Sequence, residues 1–304
     1  MKEPLPPDHE QRMRAVCEVL DGLSVGDALG SALGEGYIRQ PLALVHRQIP
    51  VGVHRYTDDT AMALEIVGVL QTCGTIDEDR LAQAFGASYA ADPRRGYGRT
   101  AHAILQAIAG GEPWREVSRA PFGGAGSMGN GSAMRVAPIG AYFADDPERI
   151  VIEAKRSALP THFNEEAQAG AVAVALATGW ALRTRQTSRD PGLLFQHVLE
   201  YTPPSDVRAR IETAAALPPT QSIDAAVREL GNGSDVLCRD TVPFVLFSAA
   251  RSLDSFQHAF WETATGQGDV DTTCAMVGAI VAAAGSPPPA AWLAQREPLP
   301  LLRR

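Results

Sequence analysis

Thr57-Asp58-Asp59-Thr60 stands directly before the apolar run Ala61-Met62-Ala63-Leu64-Glu65-Ile66-Val67, and Gly266-Gln267-Gly268-Asp269-Val270-Asp271-Thr272-Thr273 stands directly before a small-residue run that begins at Cys274. Each block sets two aspartates and threonine hydroxyls at the start of a helix. One reading is local: Thr or Asp accepts from the free N–H groups of a first turn, and negative charge complements the helix dipole. One carboxylate suffices for that, and two neighbouring ones repel unless something positive lies between them. If the two helix starts converge, four carboxylates and two or more hydroxyls meet, and one or two divalent metals are the simplest neutraliser. A ligand set of oxygens without His or Cys selects hard cations, Mg²⁺, Mn²⁺ or Ca²⁺, over zinc.

Two further blocks carry chemistry less specifically. Gly123-Gly124-Ala125-Gly126-Ser127-Met128-Gly129-Asn130-Gly131-Ser132-Ala133-Met134-Arg135 can expose backbone N–H groups as a cradle for phosphate oxygens, or can simply be a turn. It lacks the Gly-Lys-Ser/Thr ending of a P-loop and follows no strand, so neither nucleotide-binding fingerprint fits. Leu159-Pro160-Thr161-His162-Phe163-Asn164-Glu165-Glu166 places His162 just before a helix start, where a histidine is either a structural hydrogen-bonding residue or part of a site.

The elements that must position these residues are helical. Alternating β-branched runs are nearly absent, and Ala-rich apolar segments recur at helical spacing, so an all-α fold is expected. The spacing predicts helices near 11–33, 60–72, 77–90, 98–109, 147–158, 165–183, 190–200, 205–216, 222–230, 240–251, 254–264 and 272–285. Asp146-Pro147 and Thr202-Pro203-Pro204-Ser205 punctuate starts, and Gly231-Asn232-Gly233 marks an end. Gly22, Gly26, Gly30 and Gly34 recur every four residues, interrupted by the charge of Asp27. Ala275, Gly278, Ala279, Ala282 and Ala283 form a second small-residue face. Such faces let helix backbones approach closely. The stretch 111–131 is poor in helix formers and is expected as a long loop. The domain is set at 11–295, with flexible tails at 1–10 and 296–304 that Trp292 and Leu293 can pin back onto the core.

The 304 residues carry 27 Lys+Arg against 35 Asp+Glu, a net charge of −8, with no clustered basic stripe, which argues against a nucleic-acid or anionic-membrane surface. The four cysteines lack CxxC spacing and fit buried, reduced thiols. No apolar run reaches the roughly 18 residues of a membrane span, and no signal-like h-region follows the N-terminus. A cytoplasmic protein is expected, without nucleic-acid or membrane partners, and as a monomer.

Taken in order, Gly26-Asp27-Ala28-Leu29-Gly30, Thr57-Asp58-Asp59-Thr60, Gly96-Tyr97-Gly98, Gly129-Asn130-Gly131-Ser132-Ala133-Met134-Arg135, Thr161-His162 with Glu166-Ala167, and Gly268-Asp269-Val270-Asp271-Thr272 resemble the ADP-ribosylglycohydrolase family over about residues 15–295. The resemblance implies a compact single-domain orthogonal multi-helix bundle with a metal-containing cleft, and a divalent-metal-dependent hydrolase that releases ADP-ribose from a protein side chain or small conjugate, with two Mg²⁺ or Mn²⁺ ions as cofactors. It implies Thr57, Asp58, Asp59, Asp269, Asp271 and Thr272 as metal ligands. Substrate contacts are implied for Gly126, Ser127, Met128, Gly129, Asn130, Gly131 and His162, and catalytic roles for Asp58, Asp59, Asp269 and Glu35. Two positions depart from the family pattern. Gly34 stands where a glutamate is usual, with Glu35 one step along, and one step on a helix turns a side chain by about 100°. Glu35 therefore reaches the site only where the helix has ended. Met128 stands where some members carry an aromatic residue. The displaced glutamate is the sequence support for a weakened, ADP-ribose-binding relative as the competing reading. A two-metal phosphohydrolase is a third. Two divalent ions would offset four carboxylates and let an acidic chain accept a pyrophosphate.

Overall fold

Helices start in this chain where a short polar side chain can take a first-turn N–H. Asp77, Asp146, Asn164, Asp190 and Ser205 each accept such a bond. The computed structural model describes residues 5–34 and 41–300. Along them run α1 (His9–Gly34), α2 (Pro41–His46), α3 (Asp58–Cys73), α4 (Glu78–Ala91), α5 (Arg99–Ala109), α6 (Trp114–Arg119), α7 (Pro121–Gly124), α8 (Ala137–Tyr142) and α9 (Pro147–Ala158). There follow α10 (Glu165–Thr184), α11 (Pro191–Tyr201), α12 (Asp206–Ala216), α13 (Ile223–Leu230), α14 (Cys238–Ala250), α15 (Phe256–Thr265), α16 (Val270–Ala283) and α17 (Ala290–Leu293). Among the described residues there is no strand, only two isolated β-bridges. The expected all-α, single-domain fold is present, and every expected helix is found with ends within two residues.

Where the sequence predicts a loop over 111–131, the structure has α6, the short α7 and a 3₁₀ turn at Asn130–Ser132. These are too short to develop a periodic apolar face, and Pro113 and Pro121 supply their starts instead. The same reason hides α8, six residues that include Pro138 and Gly140, all of them buried.

The core is built around α10, whose residues from Ala169 to Ala181 are buried without interruption. Alanines and glycines dominate it because α8, α9, α14 and α16 all press against it. The pair that matters most for the site is α1 with α16. A Cβ on Gly30 would lie 2.8 Å from both Asp271 Cα and the Val270 carbonyl oxygen, and one on Gly278 would lie 2.5 Å from the Gly22 carbonyl oxygen. At Gly26 an added Cβ would fall on the Cys274 carbonyl oxygen. The two small-residue faces are therefore one contact, made backbone to backbone.

Past residue 295 the chain runs beside the approach to α3. His54 N donates to Gln295 O at 2.7 Å, and Glu297 N donates to His54 O at 2.8 Å. Arg95 donates to Glu297 and to the Tyr56 carbonyl at 2.9 Å. Trp292 is buried among Phe256, Phe260 and Trp261, which anchors this segment.

Candidate active site at two facing helix starts

Asp27 projects from the glycine face of α1 toward the start of α3, where free N–H groups need acceptors. Its carboxylate takes the backbone N–H of Thr57 at 3.0 Å and of Thr60 at 3.1 Å, and the hydroxyls of Thr57 at 2.8 Å and Thr60 at 2.5 Å. Capping is thus done by Asp27, together with Thr57, whose own hydroxyl oxygen accepts from Asp59 N at 3.4 Å. Asp58 and Asp59 are not needed for it.

They are instead turned toward α16. Oxygens of Asp27, Asp59 and Asp271 all lie within 4.8 Å of one another. The Asp59 Oδ2 lies 3.0 Å from the Thr57 hydroxyl, whose single proton it shares with Asp27, and accepts from the Thr272 hydroxyl at 3.4 Å, while its Oδ1 is buried with no hydrogen-bond partner. On the far side, Asp269 caps α16 by position but makes no side-chain cap bond; its carboxylate accepts from Asn130 Nδ2 at 2.7 Å. Two helix N-termini therefore face one acidic pocket.

Without a cation, burial and mutual repulsion favour the protonated form of Asp27, Asp58, Asp59 and Asp269. Burial, then the charges of Asp271 and Asp27, push Asp58 well above the ordinary carboxylate range. Burial, then Asp27 and Asp271, do the same to Asp59. Burial, then Asp271, likewise raise Asp269. An orphaned carboxylate oxygen, hard oxygen donors and mutual repulsion fit a divalent cation such as Mg²⁺ or Mn²⁺.

This makes the stability of the metal-free protein pH-dependent with a definite sign. A carboxyl whose folded pKa is raised holds a proton that the unfolded chain has released. Its stabilising contribution is full below 3.8 and is lost as pH rises through the folded values, about 7 for Asp27 and about 8 for Asp269. In chelator, Tm should fall as pH rises from about 5 to about 8.5, and Asp269→Asn should flatten that slope. Calorimetric scans with and without Mn²⁺ check this, and an equal slope in the variant contradicts it.

The cluster forms one end of a cavity of about 470 Å³. Of the residues expected from sequence, Asp58, Asp269, Asp271, Thr272, Ser127, Met128, Gly129, Asn130, Gly131 and His162 line it. Thr57 and Asp59 lie buried beneath that surface. Gly126 faces elsewhere: a Cβ there would lie 2.8 Å from the Phe163 Cβ and 2.9 Å from Asn164 N. Glu35 lies outside the described residues. The glycine loop is stitched to the segment before α14 by Asn130 N to Val236 O and Cys238 N to Met128 O, both 3.1 Å. Cys238 and Cys274 are buried, and among the described residues no cysteine forms a disulfide.

Sequence reading missed Asp27 as a member of the cluster. Its signal was present as a lone charge on an otherwise close-packed glycine face. It also missed two members of the apolar rim of the cavity, Phe122, 65% exposed, and Val236, 51% exposed, which stand beside the expected Met128, 39% exposed. Phe122 and Val236 hold positive φ of 55° and 57°, a costly conformation for side chains of this kind. Nothing in their local sequence marks loops that meet only in the folded chain.

The described helices include none long and apolar enough to cross a membrane. The family model for ADP-ribosylglycohydrolase matches residues 6–302. The ADP-ribosylhydrolase ARH3 of Danio rerio is 29% identical over 86% of this chain and 81% of its own length. The ARH3 of Homo sapiens is 32% identical over 75% and 70%, respectively. A solved structure described as an ADP-ribosylglycohydrolase-related protein complex superposes with a TM-score of 0.65 at 24% identity, over 95% of this chain and 94% of that one, which establishes likeness of fold. An acidic cluster between two helix starts, set in that fold and matched by that model along nearly the whole sequence, places this chain in the ADP-ribosylglycohydrolase family.

Proposed function

We propose that this chain hydrolyses the glycosidic bond of ADP-ribose conjugates and releases ADP-ribose, with two divalent cations, Mg²⁺ or Mn²⁺, as cofactors. The observation that carries the reading is the convergence of Asp27, Asp59 and Asp271 within 4.8 Å around a buried, unpartnered Asp59 oxygen. Thr57, Asp58, Asp59, Asp269, Asp271 and Thr272 would hold the cations, and Asp27 would keep the α3 start in place. Bound there, the cations supply Lewis acidity and lower the pKa of water.

The protein's own groups divide the remaining work. Asp58, Asp269 and Asp271 reach the cavity surface, and of these Asp58 and Asp269 would move a proton as the bond at the anomeric carbon breaks. Gly129, Asn130 and Gly131 line the cavity beside His162, where their backbone would meet the pyrophosphate. Phe122, Met128 and Val236 offer apolar surface at the rim for the face of the adenine.

Purified protein should release ADP-ribose from at least one of the arginine-, serine- or acetyl-linked conjugates with Mg²⁺ or Mn²⁺, and lose that activity in chelator. Undiminished turnover in chelator overturns the metal role. AMP among the products would instead support the phosphohydrolase reading, and ADP-ribose binding without cleavage of any conjugate the binding-protein reading. ADP-ribose at 100 times its Kd should stabilise the protein by about 2.7 kcal/mol.

A further inference from the structure

Arg135 is fully buried, and the carboxyl whose charge acts on it most is that of Asp58 in the acidic cluster. Its guanidinium rests over the Phe85 ring at 4.4 Å and donates from Nη2 to the Ser157 carbonyl at 2.9 Å and to Thr161 Oγ1 at 2.8 Å. A guanidinium can only donate, so the Thr161 oxygen is the acceptor in that bond. The one hydroxyl proton of Thr161 is left for its other contact, Nδ1 of His162, at 2.7 Å. If the histidine nitrogen on that side accepts, that proton is satisfied and a neutral ring carries its single proton on Nε2; an Nδ1–H in its place could still be accepted by the second lone pair of Thr161 but would leave the threonine proton without an acceptor.

A doubly protonated ring does not fit this network. Its Nδ1–H would leave the Thr161 hydroxyl proton without an acceptor and would bury a second cation beside Arg135. Burial, with the charge of Arg135 second, accordingly holds the ring's pKa down at about 3. The edge of the ring that bears Nε2 faces the glycine loop: a Cβ on Gly131 would lie 3.1 Å from Nε2 and 2.9 Å from Cε1, and one on Gly129 would lie 3.3 Å from Nε2. Any side chain at Gly131 would therefore crowd the imidazole.

We propose that Arg135 and Thr161 are positioning residues that lock His162 in its Nε2–H form, so that an uncharged imidazole presents a fixed donor to an acceptor oxygen of a phosphate-bearing ligand in the Gly129–Gly131 loop. His162 is then a recognition group and not a general base. Only the ligand part of this inference rests on the ADP-ribose reading; the locked ring does not.

The test is long-range ¹H–¹⁵N spectroscopy of the full chain labelled at histidine, with His162 assigned by comparison with His162→Gln. Wild type should give the Nε2–H pattern. Thr161→Val, which keeps the shape and removes the hydroxyl, should lose it and weaken ADP-ribose binding about tenfold, and Thr161→Ser should restore both. An Nδ1–H or doubly protonated ring in wild type overturns the lock, as does a wild-type pattern in Thr161→Val. A merely structural threonine would lower Tm without moving the ring signals. An Nε2–H ring in wild type that fails to bind ADP-ribose supports the lock while overturning the hydrolase reading.

Discussion

Asp58→Asn should lower kcat/KM for ADP-ribose release by about a thousandfold or more, a loss of roughly 4 kcal/mol in transition-state stabilisation. Asp58 is the aspartate of the first block that both lines the cavity and faces the rest of the cluster. An amide keeps its shape but removes the charge and the proton-carrying capacity. The same substitution should act in the opposite direction on stability when metal is absent. It deletes one buried carboxyl from a group whose members raise one another's pKa, so in chelator at neutral pH Tm should rise by a few degrees, about 1 kcal/mol or more. With saturating Mn²⁺ the order reverses, because wild type gains more from the cation. Activity within tenfold of wild type, with a lower Tm in chelator, would contradict both the role and the physical account of the cluster.

Gly26→Ala should be among the most damaging single-methyl additions available in this chain, destabilising it by about 3 kcal/mol or more. The new Cβ would fall on the Cys274 carbonyl oxygen, and its next neighbours are backbone atoms of Cys274 and Ala275, which cannot swing aside as a side-chain end could. Relief requires α1 to back away from α16, and that separates Asp27 from Asp271. Metal affinity should therefore fall even where the variant still folds. Gly68→Ala is the matched control: a Cβ there meets nothing within 4 Å, so the change should be neutral or stabilising by up to about 1 kcal/mol. Thermal melts of both variants, with Mn²⁺ titrations on any folded Gly26→Ala protein, decide the matter. Equal Tm for the two would mean that the helix contact is loose.

The helices were legible because their signals are local. Asp146 before Pro147, Ser205 after two prolines, and apolar periodicity over ten or more residues act within one segment, and the structure uses them as expected. The two aspartate-bearing helix starts were legible for the same reason. Their partner Asp27 was not, because its neighbours Thr57 and Asp271 come close only through the packing of α1 against α3 and α16. The sequence displays the glycines that permit that approach, but not the carboxylate's destination. Phe122 and Val236 are illegible in a stronger sense, since each holds a positive φ, Phe122 in the short α7 and Val236 just before α14, that depends on tertiary contacts. Gly126 shows the converse: it sits inside the glycine-rich block, yet its free side is filled by Phe163 and Asn164 and not by the cavity.

The backbone contact between α1 and α16 also sets an order of events during synthesis. Gly26 and Cys274 are 274 − 26 = 248 residues apart. At about 5–20 residues per second, the glycine face of α1 waits roughly 12–50 s on the ribosome before its partner exists. Throughout that interval a largely apolar helix and an uncompensated carboxylate have no native surface to meet. A chain of this design gains its function last, and it is most exposed to misassociation just before the site closes.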